Sequence, residues 1–150
     1  MTVVSVDVVV DAPPERVWDV VGDPHNLSHW DRHVAAATGI PPEGLSIGVR
    51  YATELHFMGV RAHVDCEVLE WDPPYRSVIR LEGILDATVT TSVEPLARGR
   101  SLLEHVVDYR FHGGALGDFT ARSLRMLGGP QLALRHGTMA QKREIESRDR

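Results

Sequence analysis

The sequence predicts an α+β domain: a curved antiparallel sheet, two short helices after its first strand, and one long C-terminal helix. Three observations predict it. From Val49 to His112 the chain runs as successive segments of period-two alternation, separated by turn residues. Ahead of them a valine-rich strand leads into DAPPERVWDVV, whose prolines suit the start of a short helix. After Gly113-Gly114 the apolar period lengthens to that of a helix.

Taken in order, Val3 to Val10 reads as the first strand. Asp11 can cap the helix that follows, Glu15 lies in its first turn, and Val17, Trp18 and Val21 fall on one face. Gly22-Asp23-Pro24 ends that helix and opens a second short one. Val49 to Phe57 alternates, with Tyr51, Thr53, Leu55 and Phe57 on one side. Val60 to Trp71 sets Ala62, Val64, Cys66 and Val68 against Arg61, His63, Asp65 and Glu67. Tyr75 to Glu82 sets Tyr75, Ser77, Ile79 and Leu81 against Arg76, Arg80 and Glu82. Leu85 to Glu94 carries Ala87, Val89, Thr91 and Val93 on one face. Arg100 to His112 carries Leu103, His105, Val107, Tyr109 and Phe111 opposite Glu104, Asp108 and Arg110. Such alternation means one wet face and one covered face. The long helix, with Leu116, Phe119, Ser123, Leu127 and Leu134 in period, supplies the cover, and Gly128-Gly129-Pro130 is expected to kink it. The charged tail from about residue 142 to 150 is expected to fray. A curved sheet gripping one helix leaves a space between them.

The chain of 150 residues is read as one domain, 1–150, long enough for its own core. A formal net charge of -5 disfavours polyanionic partners, so nucleic acid is not expected. The single cysteine, Cys66, excludes an intrachain disulfide and a cysteine-rich zinc module. No segment reaches the roughly 20 apolar residues of a membrane span. The apolar N-terminus lacks a basic leader, so it reads as a strand and the protein as cytoplasmic. An exposed edge strand leaves monomer and homodimer both open.

The stretch Val10 to Val34, VDAPPERVWDVVGDPHNLSHWDRHV, resembles the N-terminal signature of the START-like, or SRPBCC, superfamily. The likeness rests on an apolar-x-Ala-Pro-x-x-x-Val-Trp start and an Asp-Pro-x-x-x-x-x-Trp second helix. It is nearest to the small polyketide cyclase/dehydratase-type members, and the later strands and terminal helix fit the same helix-grip (START/Bet v 1-like) order. The resemblance implies a deep apolar cavity between sheet and helix, and a hydrophobic small molecule as substrate or ligand. It implies no shared catalytic triad, since the superfamily spans cyclases, hydrolases, plain binders, resistance proteins and chaperone-activating domains.

Side-chain direction then selects the candidates. Polar exceptions on an apolar floor are the informative positions. His105, between Leu103 and Val107, can exchange a proton near neutral pH. Tyr51 and Tyr109 can hydrogen-bond a carbonyl and stabilise an enolate. These three are the catalytic candidates. The same positions read equally as a satisfied core histidine and half-buried tyrosines. Thr53, Phe57, Cys66, Ser77, Ile79, Thr91 and Val107 are the expected sheet contacts to ligand. Phe119, Arg122, Ser123 and Met126 are the expected helix contacts. Cys66 has no neighbouring motif that would activate it, so it packs.

His25, His29 and His33 recur every four residues, a spacing that can hold zinc in pairs. Three such ligands spread over about 12 Å of helix rise, too far for one ion. No metal is expected. In the resemblance Trp30 packs inward and closes the cavity mouth, with the histidines at its rim. The function that follows is a cyclase or dehydratase acting on a polyketide-like or polyunsaturated intermediate. It folds the substrate and assists with acid/base or hydrogen-bonding groups, and it needs no cofactor. The alternative is a non-catalytic carrier or resistance protein that sequesters a hydrophobic molecule.

Overall fold

The computed structural model describes residues 2–26, 34–57, 60–83, 85–112, 122 and 129–148. Six strands form one antiparallel sheet: β1 (Thr2–Val10), β2 (Arg50–Phe57), β3 (Val60–Asp72), β4 (Arg76–Gly83), β5 (Leu85–Leu96) and β6 (Arg100–Phe111). Their order across the sheet is β1-β6-β5-β4-β3-β2. Helix α1 (Pro14–Val21) and a 3-10 turn (Pro24–Asn26) follow β1, and helix α2 (Gly129–Arg148) lies at the C-terminal end. The sheet is curved, and α2 lies across it as the helix-grip order requires.

Alternation makes these strands. In β6, Ser101, Leu103 and His105 are buried while Leu102 and Glu104 between them are less so. The outer face is a lattice of exposed ion pairs, Arg50 to Glu67 at 3.2 Å and Arg76 to Glu70 at 3.0 Å among them. Such pairs keep that face wet and add little stability. Among the described residues the expected ladder breaks once. Between Val68 and Glu70 the β3–β4 register shifts, leaving Leu69 as an extra residue. That bulge reverses the phase of everything after it. Trp71 therefore turns to the inner face, where its ring meets Trp18 edge-on at 5.3 Å.

Helix α1 starts on Pro13 without a side-chain cap, so Asp11 is not the cap. The Asp11 backbone N–H instead donates to Glu146 Oε2 at 2.9 Å. Val17 and Val20 are the buried residues of its face, with Trp18 and Val21 beside them. Gly22 ends the helix because a Cβ there would lie 2.5 Å from Trp18 Nε1 and 2.8 Å from Trp18 O.

Two compact cores result. One joins α1, β1, β5, β6 and the end of α2 through Val10, Val17, Val20, Leu103 and Ile145. The other packs Ala37 against Tyr51, Val64, Cys66 and Val68. Ile145 is 1% exposed, so the charged C-terminal segment does not fray at 142. It is helical to Arg148 because one apolar residue anchors it and its charges pair, Lys142 with Glu146 and Arg148 with Glu144.

Both edge strands carry hydrogen bonds from outside the sheet at some of their backbone groups. On β1, Ser5 O accepts from Gln131 Nε2 and Val9 O from Lys142 Nζ, both at 2.7 Å and both from α2. On β2, Thr38 and Ala52 exchange two backbone hydrogen bonds, at 2.8 and 2.9 Å.

Candidate functional site

A cavity of about 390 Å³ lies between the inner face of the sheet and α2. Strand register orders its floor into rows. Tyr51, Cys66, Leu81, Ala87 and Tyr109 are successive cross-strand partners. So are Val68, Ile79, Val89 and Val107, and so are Trp71, Ser77, Thr91 and His105. Two rows bearing polar groups thus flank an aliphatic one, each about 7 Å from the next. The roof is one helical stripe: Pro130, Ala133, Leu134, Gly137, Thr138 and Gln141. Val21 to Pro24 close the end beside α1.

The cavity exists because the α2 stripe changes in size along the helix. Ile145 fills its C-terminal end, while Ala133 and Gly137 leave the middle thin. Glycine inside a helix costs about 0.5–1 kcal/mol relative to alanine.

His105 is the centre of the polar groups. Its Nε2 lies 2.6 Å from Gln141 Oε1, and its Nδ1 lies 2.9 Å from Thr91 Oγ1. Gln141 Oε1 only accepts, so Nε2 carries the hydrogen and Nδ1 accepts from the Thr91 hydroxyl. With the amide turned over, the same three groups bond in the opposite sense. His105 is 6% exposed. Burial pushes its pKa below the ordinary histidine value, and the Gln141 hydrogen bond opposes that shift. The ring is therefore neutral at neutral pH. Hydroxyl, imidazole and third group stand in the order of a nucleophilic triad, but the third group is an amide. It orients the ring without supplying the negative charge that would hold an imidazolium.

Tyr51 sits at the far end of its row. Cys66 is its cross-strand partner, and burial drives the pKa values of phenol and thiol up, that of Cys66 to about 11. Thr53 donates to Ala35 O at 2.8 Å and so anchors the segment crossing β2. The Tyr109 ring packs edge-on against Phe111 at 5.6 Å. Neither the Ser77 nor the Tyr109 hydroxyl makes a hydrogen bond to another described residue, and both line the cavity.

Of the expected residues, the cavity brings together Tyr51, Thr53, Cys66, Ser77, Ile79, Thr91, His105, Val107 and Tyr109. It does not converge the three catalytic candidates. Tyr51 and Tyr109 end opposite sides of a row four strand spacings long, about 19 Å, and Tyr109 lies about 14 Å along β6 from His105. Tyr75, expected on the inner face, is 45% exposed, since it belongs to the turn before β4. Arg122, expected to face the cavity, is exposed. Trp30, His29, His33, Phe119, Ser123 and Met126 lie outside the described residues, as does the side chain of Phe57. His25 is exposed and bonds Asp23 Oδ1 through Nδ1 at 2.9 Å. No cluster of metal-ligating side chains occurs among the described residues.

Sequence reasoning missed Gln141, Trp71 and Gly137. Gln141 was hidden at the border of the segment expected to fray, although Leu134, Thr138, Gln141 and Ile145 recur at helical spacing. Trp71 was hidden by the bulge.

Residues 1–129 match the family described as polyketide cyclase / dehydrase and lipid transport, and the chain belongs to that family. An uncharacterized protein of Mycobacterium tuberculosis is 29% identical over 126 residues, covering 81% of this chain and 88% of its own. Among solved structures, the Zhui aromatase/cyclase of a Streptomyces species superposes with a TM-score of 0.79 at 16% identity. It covers 99% of this chain and 96% of its own. A START superfamily protein of Mycobacterium smegmatis gives 0.71 at 17% identity, covering 97% of each chain. At such identities the likeness establishes the fold: a START-like helix-grip domain. The family supports a coarse cyclase-like or ligand-binding role. No described helix is long and apolar enough to cross a membrane.

Proposed function

We propose that the protein is a cofactor-independent cyclase or dehydratase that folds a polyketide-like chain inside the cavity. One observation carries the reading: a buried neutral imidazole, tied through Thr91 and Gln141, lies on the floor of an otherwise apolar cavity. Confinement selects one reactive conformer and removes much of the entropic barrier to ring closure. The Tyr109 hydroxyl donates to a ketone oxygen and favours the enol. Thr91 relays a proton from the substrate to His105 Nδ1, and because Gln141 brings no charge to hold an imidazolium the ring returns that proton through Thr91 to the departing hydroxyl, which leaves as water. Tyr51 is assigned a weaker part, because it ends its row on the side away from Tyr109.

The second reading is a non-catalytic carrier. The observation favouring it is that Thr53, Thr91 and His105 already have protein partners, so much of the floor is satisfied without chemistry. Purified protein incubated with a metabolite extract separates the two. Consumption of a compound into a product lighter by water or of equal mass, beyond one equivalent of protein, supports the enzyme. A compound retained unchanged on the protein, with no new product in the free pool, replaces it with the carrier.

A further inference from the structure

We infer that Gly137 is a specificity-determining residue, holding open the cavity beside Thr91, His105 and Gln141 for the uncharged, oxygen-bearing end of a ligand. The inference rests on the cavity being a ligand site. It adds where one end of the ligand lies and what charge it carries.

Glycine at 137 has no conformational or steric reason. It lies inside α2, its φ is not in the left-handed region, and a Cβ there would meet no described atom within 4 Å. Gly22 and Gly83 behave differently, since a Cβ at each would press on a neighbour at 2.5 and 2.4 Å. What a side chain at 137 would occupy is cavity. Gln141 stands one helical turn further on the same face, so the gap opens directly onto the polar groups. A second observation points to a ligand there. Ser77 is 6% exposed, faces the cavity as the cross-strand neighbour of Thr91, and has no hydrogen-bond partner among the described residues. That hydroxyl is open to the cavity and so is placed to bond whatever occupies it.

The chemistry of the partner follows from the groups around it. Ser77, Thr91, His105 and Gln141 are all uncharged at neutral pH. Among the described residues the charged side chain lining the cavity is Asp23, half-exposed at the α1 end. A carboxylate or ammonium placed beside Gln141 would lose its water without gaining a counter-charge. A ketone or hydroxyl is matched. Ser77 can donate or accept, and the Thr91–His105–Gln141 chain can reverse its sense to suit either.

The test uses the full chain and four probes. N-phenyl-1-naphthylamine, an apolar fluorescent dye, reports cavity binding. Its displacement is measured with 2-naphthol, 2-methylnaphthalene and 2-naphthoate, which present a hydroxyl, a methyl or a carboxylate on one ring system. The expected result is that 2-naphthol binds about tenfold more tightly than either of the others. Gly137→Leu then weakens 2-naphthol about tenfold or more while raising Tm by about 2–4 °C, and Gly137→Ala raises Tm with a smaller loss of affinity. If the dye binds but the three competitors are equivalent, or Gly137→Leu binds 2-naphthol as the parent does, the inference is overturned and the ligand cavity stands. If the dye does not bind the parent protein at all, both fall.

Discussion

Because His105 is held neutral by burial, the protein should lose stability in mild acid, by an amount that belongs to this one residue. The perturbation is a drop from about pH 7.5 to about pH 5.5. In the unfolded chain His105 titrates near the ordinary value of about 6.5. In the fold its pKa lies lower, so between the two values the unfolded state binds the extra proton. Stability contributed by the residue is complete above about pH 6.5 and is lost as pH falls toward the folded value. While the ring stays neutral in the fold, the loss grows as pH falls below about 6.5 and is on the order of 1 kcal/mol at pH 5.5. The other histidines and the carboxylates titrate as well. The quantity to compare is therefore the change in unfolding free energy between the two pH values for the parent and for His105→Gln, where the shared groups cancel. Urea unfolding followed by tryptophan fluorescence measures it. The parent should lose about 1 kcal/mol more than the variant. Equal losses would refute the reasoning, because they would mean that His105 gains its proton in the fold as readily as in the unfolded chain.

Gly22→Ala should cost about 1–3 kcal/mol in the same assay, since its Cβ would press on the Trp18 ring and on Trp18 O at 2.8 Å; an unchanged urea midpoint would show that Trp18 can shift at no cost. Cys66 should resist iodoacetamide at about pH 8, its thiol 3% exposed and pushed up to about 11, and become labelled only on unfolding; full labelling of the native protein within minutes would contradict the burial.

The reading of Cys66 as a packed residue needed only its place between two valines on an alternating strand. Trp71 shows the limit of that method. Period two carries the side-chain direction forward from residue to residue, so a single extra residue at Leu69 inverts it, and nothing in the local composition marks the bulge. Gln141 shows a different limit. The segment from 141 looked like a solvated tail because its residues are charged. One turn of apolar spacing, from Thr138 to Ile145, outweighs that composition once the sheet offers a surface to dock on. Tyr75 failed for the reason that strands end: alternation was carried one residue into the turn.

By itself the sequence determined the α+β class, the number of the sheet's strands and their succession along the chain, and the chemistry of the cavity floor. These depend on local period, and each residue's direction follows from its neighbours in the chain. Only the tertiary structure decided which polar groups meet. Thr91 and His105 are 14 residues apart and come together through the β5–β6 register. Gln141 is 36 residues from His105 and reaches it because α2 lies across the sheet. Hydrogen bonds are directional and short, so their partners are settled by the register and docking of elements distant in the chain. Apolar burial depends mainly on which face a residue occupies, and that was legible from the start.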